Sequence, residues 1–224
     1  MNEHIVIITG AAPISPEVVA RIPPDALLIA VDGGLDHALA VGLEPSLVVG
    51  DLDSVTDAGL TWAARNASIE RHPTDKDHTD TELALAVAAA LDPDRITLIG
   101  GGDRLDHTIA GIGALGALSV TSVRSLEAWW DDQHVTVLQG PGSAKLRLAA
   151  GSTLSLLALH GPCTHVTLRN TRWELTEIDI DPVVGLGVSN EVPPGDDPVD
   201  VEVTLSGGTL TIFDVPAEPE TASR

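Results

Sequence analysis

Four short apolar runs in the first half of the chain lead directly into glycine or glycine plus acid: "HIVIITG", "ALLIAVDGG", "LVVGDLDS" and "RITLIGGGD". Each is too short for a helix and lacks the polar alternation of a half-exposed strand, so each reads as a strand buried on both faces of a parallel sheet. The segments between them carry helical signals. "SPEVVARI" has Ser15 as N-cap and Pro16 at the first helical position; "LDHALAVGL" and "TDAGLTWAARN" follow. In "KDHTDTELALAVAAAL", Thr79 and Glu82 stand at capping-box spacing and the alanine-rich body runs to the Asp92-Pro93 stop. "SIERH" reads as a further short strand and "TIAGIGALGAL" as a helix despite its glycines. Strand–helix alternation of this kind predicts an open, mostly parallel α/β sheet, whose ligands bind outside the carboxyl ends of the strands. Three of those ends carry glycine with aspartate: "VDGG", "GDLDS" and "GGGDRLD".

The pattern changes near residue 130, after "EAWWDDQ". Beyond it stand "HVTVLQG", "AKLRLA", "STLSLLAL", "HVTLRN", "VDVEVTL" and "GTLTIFDV", β-branched runs between turn residues with no helical period. These predict a small all-β sandwich or barrel. The expected organisation is an α/β domain over 1–132, a β domain over 133–216, and a loose Pro-rich tail over 217–224.

The formal net charge of −21, from 33 acidic and 12 basic residues, argues against nucleic-acid binding, which draws on a field of Lys and Arg. No apolar run approaches the roughly 18 residues of a membrane span. The acidic start runs straight into a strand, which leaves no room for a signal peptide. Cys163 is the single cysteine, so no internal disulfide forms. A reducing cytoplasm is the expected compartment.

On an extended chain, Asp51 and Asp53 face the same side at roughly 6–7 Å. Like charges so placed raise one another's pKa or destabilise the fold unless a cation lies between them. Magnesium suits such a pair, since it takes oxygen ligands and is held by one or two carboxylates plus substrate phosphates. The alternative is that Asp53 and Ser54 cap the next helix, that Asp77 and Asp80 serve a helix dipole, and that Asp106 is an N-cap. Lys76 and Arg104 lie in the same loops, suited to phosphate oxygens or to ion pairs with these acids. There is no P-loop, and "GGGDRL" lacks the third glycine of a dinucleotide fingerprint. His37, His72, His78 and His107 form no metal motif and read as surface or packing residues.

In order, "AVDGGLDHALAVGLEPSLVVGDLDSV", "KDHTDTELALAVA" and "GGDRLDHTIAGI" resemble the thiamine pyrophosphokinases, and the likeness continues through "NTRWELTE", "GLGVSNEV" and "VDVEVTLSGGTLTIF". The resemblance implies a Rossmann-like α/β nucleotide domain and a C-terminal β-sandwich. It also implies a homodimer with active sites shared between subunits, and transfer of the pyrophosphoryl group of Mg-ATP to thiamine, giving thiamine diphosphate and AMP. Asp51, Asp53 and Asp77 would be the magnesium carboxylates, with Asp80 close by and Lys76 and Arg104 neutralising phosphate charge. Asp32, Gly33, Gly34, Gly102, Asp106 and His107 would line the nucleotide path. Trp173 would face the thiamine rings through cation–π attraction, the alternative being a core tryptophan. Ser189 and Asn190 would hold thiamine's polar edge.

Three positions depart from the family pattern: Asp103 in the glycine loop, Gly111 where Asn is common, and Gly187 where a serine is usual. Two rival readings keep the same scaffold: a pyrophosphokinase for another alcohol, such as a hydroxymethyl pterin, and a non-catalytic sensor of nucleotide or thiamine diphosphate. An acidic structural protein without a ligand would leave the three Gly-Asp strand ends unexplained.

Overall fold

The computed structural model describes residues 3–102, 104–131 and 133–216. The expected tail over 217–224 and the departure at Asp103 lie outside the described residues. The chain divides into two compact units, Met1–Asp131 and Asp132–Arg224.

In the first unit, strands β1 (His4–Ile8), β2 (Leu27–Val31), β3 (Leu47–Gly50), β4 (Ser68–Arg71), β5 (Arg95–Gly100) and β6 (Ser125–Trp130) alternate with helices. The helices are α1 (Pro16–Val19), α2 (Gly34–Ala40), α3 (Asp57–Asn66), α4 (Asp80–Ala90) and α5 (Leu105–Leu115). The strands lie in the order β6-β5-β1-β2-β3-β4, every pair parallel. The apolar runs follow from this arrangement. Ile5, Val6, Ile7 and Ile8 are all at most 1% exposed, because β1 lies mid-sheet and neither face meets water. Val6 and Ile8 pack with Ile14, Val18, Ala38 and Ile99, while Ala30, Val48, Leu35, Leu52, Val55 and Ala63 form a second cluster.

The helix signals act where expected in two cases. Ser15 Oγ accepts from the Val18 N–H at the start of α1. Thr79 and Glu82 exchange both capping-box bonds at the start of α4. In two other cases the caps differ. The N-cap of α3 is Thr56, not Asp53 or Ser54, and that of α5 is Arg104, not Asp106. The strand β6 is not anticipated by the sequence, although "SLEAWW" alternates and buries Leu126, Ala128 and Trp130.

The second unit holds β7 (Gln133–Gln139), β8 (Gly142–Leu148), β9 (Thr153–Leu157), β10 (Cys163–Arg169), β11 (Leu175–Ile180), β12 (Gly187–Glu191), β13 (Val199–Leu205) and β14 (Thr209–Val215). Within it, β12-β9-β14-β7 and β11-β10-β13-β8 are antiparallel sets of four. Both sets contribute to one core, with Leu154, Leu156, Leu210 and Ile212 from the first and Leu148, Val166, Leu168, Val201 and Val203 from the second. Strand β13 shows the cause: Val201, Val203 and Leu205 are buried while Glu202 and Thr204 between them are exposed. Cys163 is free and buried in this core. Among the described residues no helix is long and apolar enough to cross a membrane.

Thr211 on β14 is fully buried, and its Oγ1 has no hydrogen-bond partner among the described residues. A buried hydroxyl without a partner carries its desolvation penalty uncompensated. Thr211→Val, which keeps the shape, is therefore expected to raise stability by about 1 kcal/mol in urea unfolding. Ile7→Ala in the first unit, which empties a fully buried site, is expected to lower it by about 2–5 kcal/mol.

Candidate active site

All six parallel strands end on one edge, and the strand order reverses between β1 and β5. Connections on the two sides of such a reversal leave on opposite faces, which opens a crevice between their loops. A cleft of ≈410 Å³ lies there. Thr9, Gly10 and Ala11 line it after β1, Asp32 after β2, Ser54 after β3, Thr79, Asp80 and Thr81 at the start of α4, Gly102, Arg104 and His107 after β5, and Trp130 at the end of β6. Gly102, at φ +107, approaches so closely that an added Cβ would fall 2.6 Å from the Ala11 carbonyl oxygen, so two loops meet backbone to backbone.

The acids converge differently from an extended strand. The chain turns left-handed at Leu52, φ 68, and the Asp53 N–H donates to Asp51 Oδ1 at 3.1 Å. The pair thus forms a side-chain-closed turn. Asp32 also sits at positive φ, and its Oδ1 accepts the Leu52 N–H at 3.0 Å. Gly50 permits this, because the Asp32 carboxylate occupies the place of the missing Cβ. Ser54 Oγ accepts the Gly33 N–H at 3.0 Å, and Gly34 starts α2 against the Ile8 carbonyl. Asp36, which sequence reasoning does not single out, accepts the Thr56 N–H and Oγ1–H at 2.8 and 2.6 Å and ties α3 to α2.

Lys76 is held among the acids. Its Nζ lies 3.1 Å from Asp80 Oδ1 and 3.9 Å from Asp51 Oδ2, and it donates to the Pro73 carbonyl at 3.0 Å. Its side chain is 14% exposed, so this cation is screened less than a surface lysine. Burial pushes Asp32 up to about 6, against the hydrogen bond from Leu52, and the negative charges of Asp80, Asp51 and Asp53 push the same way. The Asp53 N–H holds Asp51 below the usual carboxylate range, with Thr74 and Lys76 adding to it.

Among the described residues no three acidic, imidazole or thiol side chains gather closely enough to hold a metal alone. The donor set nonetheless fits magnesium. It consists of carboxylate oxygens, and buried Asp80 Oδ1 makes no hydrogen bond among the described residues, with the Lys76 ammonium 3.1 Å away as its ion-pair partner. Magnesium characteristically uses one or two carboxylates and takes its other ligands from water and phosphate. Asp77 and Asp53 are exposed and, with Asp51, stand outside the cleft lining.

On the other side of the cleft, the Arg104 guanidinium forks onto Asp106 at 2.7 and 3.3 Å. That hydrogen bond holds Asp106 below its ordinary range. Asp106, exposed in the first turn of α5, is not part of the cleft lining but touches Arg104 and His107, which are. Trp130 and the Thr9–Ala11 loop are missed by sequence reasoning, although the loop's place directly after a buried strand is a usable signal. Gly111, noted as a departure, faces Trp130: a Cβ there would stand 2.8 Å from ring atom Cη2, so the indole leaves no room for a side chain.

In the second unit Trp173 lies before β11 and is 50% exposed, so it is not a core residue. Asn190, 5% exposed, accepts from the Trp173 N–H at 3.1 Å and donates to the Trp173 carbonyl at 2.7 Å. Its Oδ1 also accepts the Glu191 N–H at 2.9 Å. This amide positions Trp173 and does not face outward. Ser189, exposed at φ 58, belongs to the irregular strand β12 and not to a turn. Arg172 lies over the Trp173 ring, 4.5 Å from its centroid, and is tied to Glu191 at 2.7 Å.

The Asp32 shift has a definite sign. The folded protein binds a proton there more tightly than the unfolded chain, so stability falls as pH rises from about 3.8 through about 6. Asp51, held below its ordinary range, adds a slope of the opposite sign that falls mostly below that window. His4, lowered by burial, gives a slope of the opposite sign in the upper part of that window. The Asp32 contribution is therefore read as a difference: in metal-free buffer the urea midpoint of the unaltered protein is expected to fall relative to that of Asp32→Asn between pH 4.5 and 6.5.

Residues 22–125 match the thiamin pyrophosphokinase catalytic domain, and residues 143–206 match the thiamin pyrophosphokinase vitamin B1 binding domain. The thiamine pyrophosphokinase of Bacillus subtilis (strain 168) is 26% identical over 188 residues, covering 82% of this chain and 86% of that protein. The fold is a mixed α/β fold shared with solved structures. The thiamine pyrophosphokinase structure from Bacillus subtilis superposes with TM-score 0.81 at 24% identity, over 96% of this chain and 99% of that one. That of Candida albicans superposes with TM-score 0.77 at 13% identity, over 96% and 89%. With both domain models matched in succession over most of its length, the chain belongs to the thiamin pyrophosphokinase family.

Proposed function

We propose that this protein transfers the pyrophosphoryl group of Mg-ATP to the hydroxyl of thiamine, giving thiamine diphosphate and AMP. The observation that carries the reading is the cluster of acids beside the cleft: Asp32 and Asp80 line it, Asp51 stands next to them, and the screened ammonium of Lys76 lies between Asp51 and Asp80. The first unit acts as a Rossmann-like nucleotide domain over 1–132, and the second as a thiamine-binding β-sandwich over 133–216. The protein acts in the cytoplasm as a homodimer, a state that sedimentation of the full chain tests.

The thiamine hydroxyl oxygen bonds to the β-phosphorus of ATP, the bond from that phosphorus to the α,β-bridging oxygen breaks, and AMP leaves with the oxygen. Such transfer depends on positioning and charge neutralisation more than on covalent help from the protein. Asp51 and Asp80, with Asp53 and Asp77 at their side, would hold a magnesium ion, which when bound would neutralise phosphate charge. Lys76 gives up part of its carboxylate contact to the phosphates, and Arg104 approaches them from the far side of the cleft with His107 beside it. Asp77, exposed at the start of the same segment, takes the proton from the alcohol. Gly33, Gly34 and Gly102 keep the loops low enough for phosphate oxygens to approach the backbone. Trp173 presents its ring to the thiazolium, with Ser189 beside it and Asn190 fixing its backbone.

Incubation of the protein with ATP, magnesium and thiamine tests the reaction directly: equal amounts of AMP and thiamine diphosphate are expected, abolished by EDTA. ATP binding without AMP formation would exclude thiamine as the acceptor. Asp51→Asn is expected to cut turnover by about a hundredfold or more while the chain still folds. Asn190→Ala is expected to raise KM for thiamine several-fold and leave KM for ATP unchanged, since its hydrogen bonds go to the Trp173 backbone and to Glu191.

A further inference from the structure

The cleft changes chemistry along its length. Asp32 and Asp80 stand on one side, and Trp130 stands at the end of β6 on the other. The strand order places three strand spacings between β2 and β6; at about 4.8 Å each these span roughly 14 Å. One side is acidic and suited to a metal and phosphates. The other is aromatic.

The seat of Trp130 is specific. A Cβ on Gly111 would fall 2.8 Å from ring atom Cη2 and 3.1 Å from Cζ3, and a Cβ on Gly100 would collide with the same edge of the ring. Neither glycine is at positive φ, so the backbone does not require glycine at either place. Gly111 also lies inside α5, where glycine costs about 1 kcal/mol relative to alanine. Space for the indole is the physical reason for both residues. A tryptophan that served only to fill the core would have no need to border the cleft, yet Trp130, at 8% exposure, does so.

We propose that Trp130 receives the nucleobase of the bound nucleotide, a purine packing on its indole while the phosphates lie at Asp32 and Asp80. Trp130 then favours a nucleotide over a triphosphate without a base, which gains nothing from the ring. This rests on the proposed ATP site, so the test separates the two ideas by using two ligands in the presence of magnesium, ATP and inorganic tripolyphosphate.

Calorimetric titration of Trp130→Ala is expected to show ATP bound about tenfold more weakly than by the unaltered protein, as for loss of one base–aromatic stack. Tripolyphosphate binding should stay within about twofold, and Trp130→Phe should recover most of the ATP affinity. Trp130→Leu keeps the seat filled with an apolar group and should show the same selective loss if the alanine variant folds poorly. Unchanged ATP affinity in both variants, or equal weakening of ATP and tripolyphosphate, overturns the assignment of Trp130 while leaving the nucleotide site standing. Failure of the unaltered protein to bind ATP overturns the site itself and the assignment with it.

Discussion

Asp32 is half-buried and stands within electrostatic reach of Asp51, Asp53 and Asp80, with the Lys76 ammonium lodged between two of them. Negative charge gathered at low solvent exposure opposes folding, and a protein keeps such an arrangement only where a cation or a bound group compensates it. Much of the local architecture serves to hold it. Gly50 has no side chain, which gives the Asp32 carboxylate its place; Leu52 takes the left-handed conformation that aims its N–H at that carboxylate; Asp53 closes a turn on Asp51. The loop before α4 brings Lys76 in under its own capping box. The parallel sheet supplies the platform, because its strands all end on the same edge and its order reverses beside the acids.

The second unit solves a different problem. Strand β13 alternates buried and exposed residues, and the core draws Leu154, Leu156, Leu210 and Ile212 from one set of four and Val166, Leu168, Val201 and Val203 from the other. Where a large aromatic side chain is to be presented to solvent at a fixed angle, the structure anchors its backbone. Asn190 is buried and bonded to both the N–H and the carbonyl of Trp173, while Arg172 covers part of the ring and is braced by Glu191. The buried amide fixes the backbone at Trp173, and the ring's remaining freedom is limited by the Arg172 guanidinium lying over it.

The buried parallel strands were legible because a short apolar run ending in glycine has few other uses, and the capping box at Thr79 because its two bonds are local. The β-rich second half was legible from its short β-branched runs, set between turn residues and without a helical period. Strands β11 and β12 were less so, since "NTRWELTE" and "GLGVSNEV" are largely exposed and lack alternation. β6 was hidden by its position at a junction, where "EAWW" read as a boundary. Trp130 was lost with it.

What the sequence determined by itself was therefore local: strand and helix identity, the Ser15 and Thr79 caps, and the grouping of acids at strand ends, all set by interactions within a few residues. That α3 is capped by Thr56 was decided only in three dimensions, because Thr56 gained Asp36 as a partner from another helix. The same holds for the acids. Their shared environment, the raised affinity of Asp32 for a proton, and the placement of Lys76 depend on β1, β2, β3 and α4 meeting across the sheet. So does the fit of Trp130 against Gly100 and Gly111, residues whose contact joins the ends of β5 and β6 to the middle of α5. Spacing along a chain dictates secondary structure because hydrogen bonds and side-chain periods are short-ranged. It does not dictate which loops share a cleft, because that follows from strand order and packing, which only the folded sheet supplies.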